Sequence, residues 1–134
     1  MVKESILNQI RFFIDGIEHI IGKLSFAMAI PNTIGDENSS VTLFLAADWI
    51  ENKSKKETLI SIFSILNAQF SGKPASVISR VTLISLCDPM IKLITPAIQV
   101  KDGRMLALNK CRIGNLDLEE LYLFVSIPQN SPSE

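Results

Sequence analysis

Hydrophobic spacing near the start of the chain is typical of an amphipathic helix. Residues 2–21 carry apolar side chains three or four positions apart along one helical stripe: Ile6, Ile10, Phe13, Ile17 and Ile20. Gly22 follows the stripe and suits a left-handed helix end. We therefore expect a first long helix that buries this stripe and ends at Gly22.

Two apolar runs, 24–30 and 41–50, follow this helix, and the polar segment 31–40 joins them. Nearly continuous apolar runs are typical of strands that are covered on both faces. The polar connection, rich in Pro, Asn, Gly and Ser, predicts that the two strands pair antiparallel through a long loop.

A second long helix is predicted over residues 55–70. Ser54 and Glu57 have the spacing of a capping box. In this motif the Ser54 hydroxyl accepts from the Glu57 amide, and the Glu57 carboxylate accepts from the Ser54 amide. Apolar side chains follow at helical spacing: Leu59, Ile62, Phe63, Leu66 and Phe70. Gly72 and Pro74 are typical of the end of a helix.

A strand and a short helix are predicted next. Residues 77–87 are rich in the β-branched and aliphatic side chains that favour strands. Asp88 suits a helix N-cap and Pro89 a first helical position. The short helix should span 90–94 and stop before Pro96, because the residue before a proline disfavours helical geometry.

The remaining chain predicts three strands in succession. Asp102-Gly103 is a strong hairpin signal and lies between the runs 97–101 and 104–110. Residues 121–127 alternate, which places Tyr122 and Phe124 on one face. The opposite face of this strand receives the side chains between them: Leu121, Leu123 and Val125.

These elements predict an α+β fold. A mainly antiparallel sheet of about five to six strands packs against two long helices, with one short helix near residue 90. Residues 1–128 form a single domain in this interpretation, and residues 129–134 form a flexible polar tail.

Composition narrows the class of protein. The chain has 134 residues, of which 47% are hydrophobic, and its formal net charge is −1. These values are typical of a soluble globular domain and unlike a disordered chain or a polyelectrolyte. Arg11, Asp15 and Glu18 interrupt the first apolar stretch, so it does not resemble a signal peptide, and we expect a cytoplasmic protein. Cys87 and Cys111 lie in apolar runs and are expected to remain free.

Sequence motifs for common catalytic and cofactor sites are absent. The chain has no phosphate-binding GxxxxGK[ST] or GxGxxG motif and no HExxH. It has no set of cysteines and histidines at metal-binding spacing, so no cofactor or metal is predicted. Its one histidine, His19, is interpreted as a residue of the helix surface.

Three residues are weak candidates for catalysis: Asp48, Arg80 and Asp88. An aspartate at the end of a buried strand can act as a general base, and an arginine inside an apolar strand can hold an anion. Each residue also has a structural interpretation. Asp48 can begin a turn, Arg80 can face solvent or pair with an acid, and Asp88 can cap the short helix.

Five basic residues lie within 21 positions: Lys92, Lys101, Arg104, Lys110 and Arg112. Only Asp102 opposes these five cations, so the local net charge is +4. Such a patch can contact phosphate groups, but no aromatic side chains are interleaved for base stacking. We favour a solvated strand face, and nucleic-acid binding is the least favoured hypothesis.

The predicted strands have more apolar surface than two long helices can cover in a chain of this length. An uncovered apolar sheet face usually marks an interface, and self-association through a two-fold patch is the simplest solution. The leading hypothesis is a non-enzymatic module that forms a homodimer and binds a partner protein or a small ligand at its sheet. The alternative is a small-molecule hydrolase or lyase with an aspartate as general base and Arg80 as anion clamp.

Overall fold

The computed structural model describes residues 2–69, 77–101, 103–113 and 116–128. Within them the chain has an α+β fold, with one five-stranded mixed sheet and four helices. The elements follow in chain order as α1 (Glu4–Ile20), β1 (Phe26–Pro31), β2 (Val41–Ala46), α2 (Asp48–Glu51), α3 (Lys55–Gln69), β3 (Ile78–Leu83), α4 (Pro89–Ala97), β4 (Leu106–Ile113) and β5 (Leu116–Ser126).

The strand order is β3-β2-β1-β5-β4, and the pair β2–β3 is parallel. The other three pairs are antiparallel, including the predicted pair β1–β2 with its long loop. The expectation of a mainly antiparallel sheet is therefore met in three of the four strand pairs and not at β3. The reason is the helical crossover through α3, which returns the chain to the same end of the sheet and makes its next strand run parallel to β2.

Among the described residues, the two runs that flank Asp102-Gly103 do not pair with each other as the predicted hairpin requires. Val100 instead makes an isolated antiparallel bridge with Ser126, and β4 pairs only with β5. Gly103 has a positive φ of 76°, and the amide of Arg104 donates to the carbonyl of Lys101 at 3.2 Å. Asp102 lies outside the described residues. The end of β5 offered Val100 a partner that local sequence could not reveal.

The predicted ends of one helix and one strand need correction. The helix α4 begins with Asp88 as its N-cap, as predicted, since the Asp88 carboxylate accepts from the Met90 amide at 2.8 Å. It then continues through Pro96 and ends at Ala97, and the amide of Ile98 still donates to the carbonyl of Ile94 at 2.7 Å. The second apolar run was predicted as a strand to residue 50, but its last residues form the short helix α2.

One face of the sheet packs against α1 and α3. Most of the predicted α1 stripe is buried there, whereas Ile20, in the last turn, is 65% exposed. The Ser54 hydroxyl accepts from the Glu57 amide at 3.1 Å, as the capping box predicts, but Phe63 of α3 is partly exposed. The predicted helix-ending residues lie outside the described part of the chain: Phe70, Gly72 and Pro74. So does the predicted tail, 129–134.

The last strand alternates as predicted over most of its length. Tyr122 and Phe124 face α1 and α3, and Leu121 and Leu123 face α4. Val125 was predicted with the α4 side but packs on the α1 side. The cause is a bulge, because the pairing of β1 with β5 shifts by one residue between Ala27 and Met28.

Gly22 has a packing role that differs from the predicted one. It does not adopt a positive φ, and Ile21 closes α1 instead. The indole ring of Trp49 lies against Gly22, and its Nε1 donates to the carbonyl of Lys23 at 2.8 Å. A Cβ at Gly22 would lie 2.9 Å from Trp49 Cδ1, which is closer than van der Waals contact allows.

We expect Gly22→Ala to lower the free energy of unfolding by about 1–3 kcal/mol, because the indole must move and loses its hydrogen bond to Lys23. Urea denaturation of Gly22→Ala, Trp49→Phe and the double variant measures this. With the smaller phenyl ring at position 49, Gly22→Ala should lower the free energy of unfolding by less than it does in the wild type. An equal loss in the wild type and in Trp49→Phe would show that the Trp49 ring is not the cause.

Candidate functional site

The two faces of the sheet are covered unequally. On the α1 and α3 side, the described residues form a core of 24 buried hydrophobic residues with four half-buried ones. On the α4 side, only eight are buried and nine are half-buried. The half-buried set on this side is Ile30, Phe44, Ile84, Leu86, Met90, Ile98, Leu108, Ile113 and Leu118. The α4 side is therefore the less completely covered apolar surface.

The strand register defines a mostly half-buried region of this side that spans three strands. Thr42 pairs with Ile30 of β1 and with Arg80 of β3, so these residues form one row across three strands. Phe44 and Thr82 lie in the next row. The main contacts of α4 are with β4 and β5, on the other half of the sheet. We call these five residues on β1, β2 and β3 the open face.

The helix α4 is attached to one end of the sheet through buried hydroxyl groups. Ser126, fully buried, places its Oγ 2.8 Å from the carbonyl oxygen of Ile98 and 3.1 Å from Thr95 Oγ1. The bridge between Val100 and Ser126 holds the segment that follows α4. These bonds fix α4 above β5.

A cavity of about 300 Å³ lies between α4 and this end of the sheet. Its lining is mainly apolar and includes one cation. The lining residues are Ser25, Leu86, Ile91, Lys92, Thr95, Pro96, Ile127 and Pro128.

The three candidate catalytic residues do not share one cleft. Arg80 is exposed and pairs with Thr42 near the start of β3. Asp48 and Asp88 follow the carboxyl ends of β2 and β3, which lie at one edge of the sheet because these strands run parallel. Arg80 lies toward the other edge. Asp48 is exposed, and the Asp88 carboxylate is occupied as the cap of α4. A catalytic role for any of them stays a prediction.

The predicted basic cluster is spread over three elements. Lys92 lies on α4, Lys101 and Arg104 lie in the segment between α4 and β4, and Lys110 and Arg112 lie on β4. Arg112 pairs with Asp117 at 3.3 Å, and both side chains are highly exposed. An exposed pair of this kind contributes at most about 1 kcal/mol to stability. These cations do not form one contiguous strand face.

Other sequence-derived candidates also occupy ordinary positions. His19 is exposed in the last turn of α1, and Cys87 and Cys111 are both free. Within the described ranges, no group of three or more histidines, cysteines or acids could hold a metal ion. No described helix is both long enough and apolar enough to cross a membrane.

Sequence reasoning missed a buried carboxylate, Glu120 on β5. Its Oε2 accepts from the amide of Val2 at 3.2 Å and from the hydroxyl of Tyr122, and its Oε1 accepts from the amide of Gly35 at 3.2 Å. The Tyr122 oxygen also accepts from the Val2 amide at 2.9 Å. One sequence signal was present, since Glu120 directly precedes the apolar run 121–125. The network ties the start of α1 and the β1–β2 loop to β5.

This network changes the acidity of both side chains. Burial would raise the pKa of Glu120, but the hydrogen bonds from Tyr122, Gly35 and Val2 outweigh it and hold the pKa below its ordinary value. Burial, together with the bond to Glu120, raises the pKa of Tyr122 to about 12. The carboxylate therefore stays ionised, and its acceptors serve the fold and not a substrate.

Comparisons of the chain with protein-family models, with curated proteins and with solved structures each find no match. The candidate site therefore rests on geometry alone. The open face and the neighbouring cavity are two features of the described structure on the less completely covered side of the sheet.

We expect Glu120→Gln to lower the free energy of unfolding at pH 7 by about 1–3 kcal/mol, because the amide nitrogen cannot accept from the donors that Glu120 Oε2 or Oε1 now satisfies. The folded-state pKa of Glu120 is lowered, so its contribution is complete above the ordinary carboxyl pKa and disappears as the pH falls through the folded-state value.

Urea denaturation between neutral and acidic pH checks this, with Glu119→Gln as the control, since Glu119 is exposed. The difference between wild type and Glu120→Gln should shrink as the pH falls. A difference that stays constant with pH, or an equal loss in Glu119→Gln, would contradict the role assigned to the carboxylate.

Proposed function

We propose that this chain is a non-enzymatic α+β module that self-associates through the open face of its sheet and binds a partner protein or a small ligand on the same side. The observation that carries the proposal is the imbalance between the two faces. The side that α4 covers has more half-buried than buried hydrophobic residues, whereas the opposite side is almost fully buried.

The composition of the open face favours a protein interface. Ile30 and Phe44 are apolar and half-buried, while Thr42, Thr82 and Arg80 surround them with hydroxyl groups and one charge. An apolar centre with a polar rim is the usual anatomy of an interface. A two-fold axis brings the same patch of two copies together, and the net charge of −1 per chain gives little repulsion.

The size of the open face predicts a weak dimer. Each of its three strands has six residues. Strand spacings of about 4.8 Å and residue rises of about 3.3 Å give a patch of roughly 14 Å by 20 Å. This area is well below the roughly 800 Å² that each partner buries in a standard interface. We therefore expect a concentration-dependent equilibrium between monomer and dimer.

Thr42→Lys tests this interface with little disturbance of the core. Thr42 is half-buried, and its hydroxyl donates to Asn32 Oδ1 at 2.9 Å on the surface. A lysine here would lie beside Arg80 and beside the same two cations of the second copy. We expect the dissociation constant to rise at least about tenfold, equivalent to about 1.4 kcal/mol. Sedimentation velocity over a range of protein concentrations measures it.

Phe63→Glu is the matched control, because Phe63 is an exposed hydrophobic residue on α3, on the other side of the sheet. This variant should dimerise like the wild type. Circular dichroism and thermal melting confirm that both variants are folded. A wild type that is monomeric at every concentration, or dissociation by Phe63→Glu and not by Thr42→Lys, would reject the proposed interface.

A further inference from the structure

We propose that the cavity between α4 and the end of the sheet binds a small amphiphilic monoanion, a short-chain carboxylate whose carboxyl group lies at Lys92 and whose alkyl chain lies among the apolar walls. This site is separate from the open face, and a different set of observations supports it. It therefore does not depend on self-association.

The walls of the cavity suit an alkyl chain. Most of the lining side chains are apolar, and no acidic side chain lines the space: the apolar set is Leu86, Ile91, Pro96, Ile127 and Pro128. Ile127 is 38% exposed, so burying it against a ligand removes apolar surface from water. A volume of about 300 Å³ is at the lower limit of known ligand sites. The space therefore suits a short chain of about six to eight carbons.

The walls are held in place by hydrogen bonds that do not involve the cavity. Glu51 Oε1 accepts from the amide of Leu86 at 3.0 Å and from the hydroxyl of Ser85 at 3.2 Å. The Asp88 cap fixes the first turn of α4, and Ser126 fixes Thr95 and the last turn. A cavity with fixed walls costs less conformational entropy when a ligand binds.

Lys92 determines the charge of the ligand. It is exposed on α4 at the cavity, and no acidic side chain in the described part of the chain forms an ion pair with it. The nearest acid along the helix, Asp88, accepts from the Met90 amide and forms no ion pair with Lys92 among the described residues. The Thr95 hydroxyl lies 3.1 Å from Ser126 Oγ and is occupied by the fold. A cation without a partner beside an apolar space is complementary to a carboxylate with an alkyl chain.

Nuclear magnetic resonance titration of the full chain with hexanoate and with 1-hexanol tests the assignment. Hexanoate should cause saturable shifts at the amides of Leu86, Lys92 and Ile127, and 1-hexanol should bind at least tenfold more weakly. Octanoate should bind more tightly than hexanoate, by roughly fourfold for each added methylene group.

Two variants separate the charge from the cavity. Lys92→Met retains an apolar stem and should weaken hexanoate at least tenfold while leaving 1-hexanol unchanged, whereas the control Lys101→Met should change neither. Ile127→Trp should weaken both ligands by filling the space. Equal affinity for hexanoate and 1-hexanol, or an equal effect of the two lysine variants, would overturn the anion site. Shifts confined to Phe44 and its neighbours would place the ligand on the open face and also overturn it.

Binding of hexanoate at the cavity should not depend on dimerisation. Thr42→Lys should bind hexanoate as the wild type does, because Thr42 lies on the open face and not in the cavity lining. If the chain is monomeric and still binds hexanoate at the cavity, the interface fails and the ligand site stands. If Thr42→Lys abolishes binding while remaining folded, the proposed separation of the two sites is wrong.

Discussion

A five-stranded sheet has two apolar faces, and in this chain two long helices pack on the same one. Burying that face against α1 and α3 forms the larger core, with Tyr122 and Phe124 at its centre. It also requires the chain to cross over the sheet between β2 and β3, which is why β3 is parallel. Among the described helices, the other face is covered by α4, which has nine residues. The open face and the cavity result from this placement of both long helices on one face of the sheet.

The position of α4 follows from a few polar contacts at one end of the sheet. Asp88 begins the helix, and the buried Ser126 holds both Thr95 and the carbonyl of Ile98. Buried hydroxyl groups are costly unless they are paired, so this arrangement fixes the helix in one place. A longer helix would cover the open face, and a helix without these contacts would have no rigid cavity beside it.

Local signals in the sequence predicted local structure well. The Ser54 and Asp88 caps and the alternation of Tyr122 with its neighbours depend on residues within four positions, and the structure confirms them. The failures involve distant partners. The sequence around Asp102-Gly103 predicted a local hairpin, but Val100 pairs with Ser126, 26 positions away. Likewise, no local pattern could reveal that β3 enters the sheet parallel to β2.

The candidate site shows the same limit in its side chains. The sequence analysis grouped Arg80 with two aspartates and Lys92 with a basic segment, and the structure places each beside other residues. Arg80 shares a row with Thr42 and not a cleft with the two aspartates, and Lys92 lies at an apolar cavity and not in a basic strand face. Neighbours across the sheet are set by register, which depends on the whole fold.

Buried charge and functional charge separate clearly in this molecule. Glu120 is buried and has a shifted pKa, which are common features of functional residues. Its oxygens, however, accept hydrogen bonds from Val2, Gly35 and Tyr122, and these bonds join distant segments of the chain. Lys92 is exposed and has no ion-pair partner among the described residues, yet it lies beside an apolar space with fixed walls. A ligand can gain free energy only from groups whose bonding capacity the fold has not already used. By that criterion Lys92, and not the buried acid, is the residue available for binding.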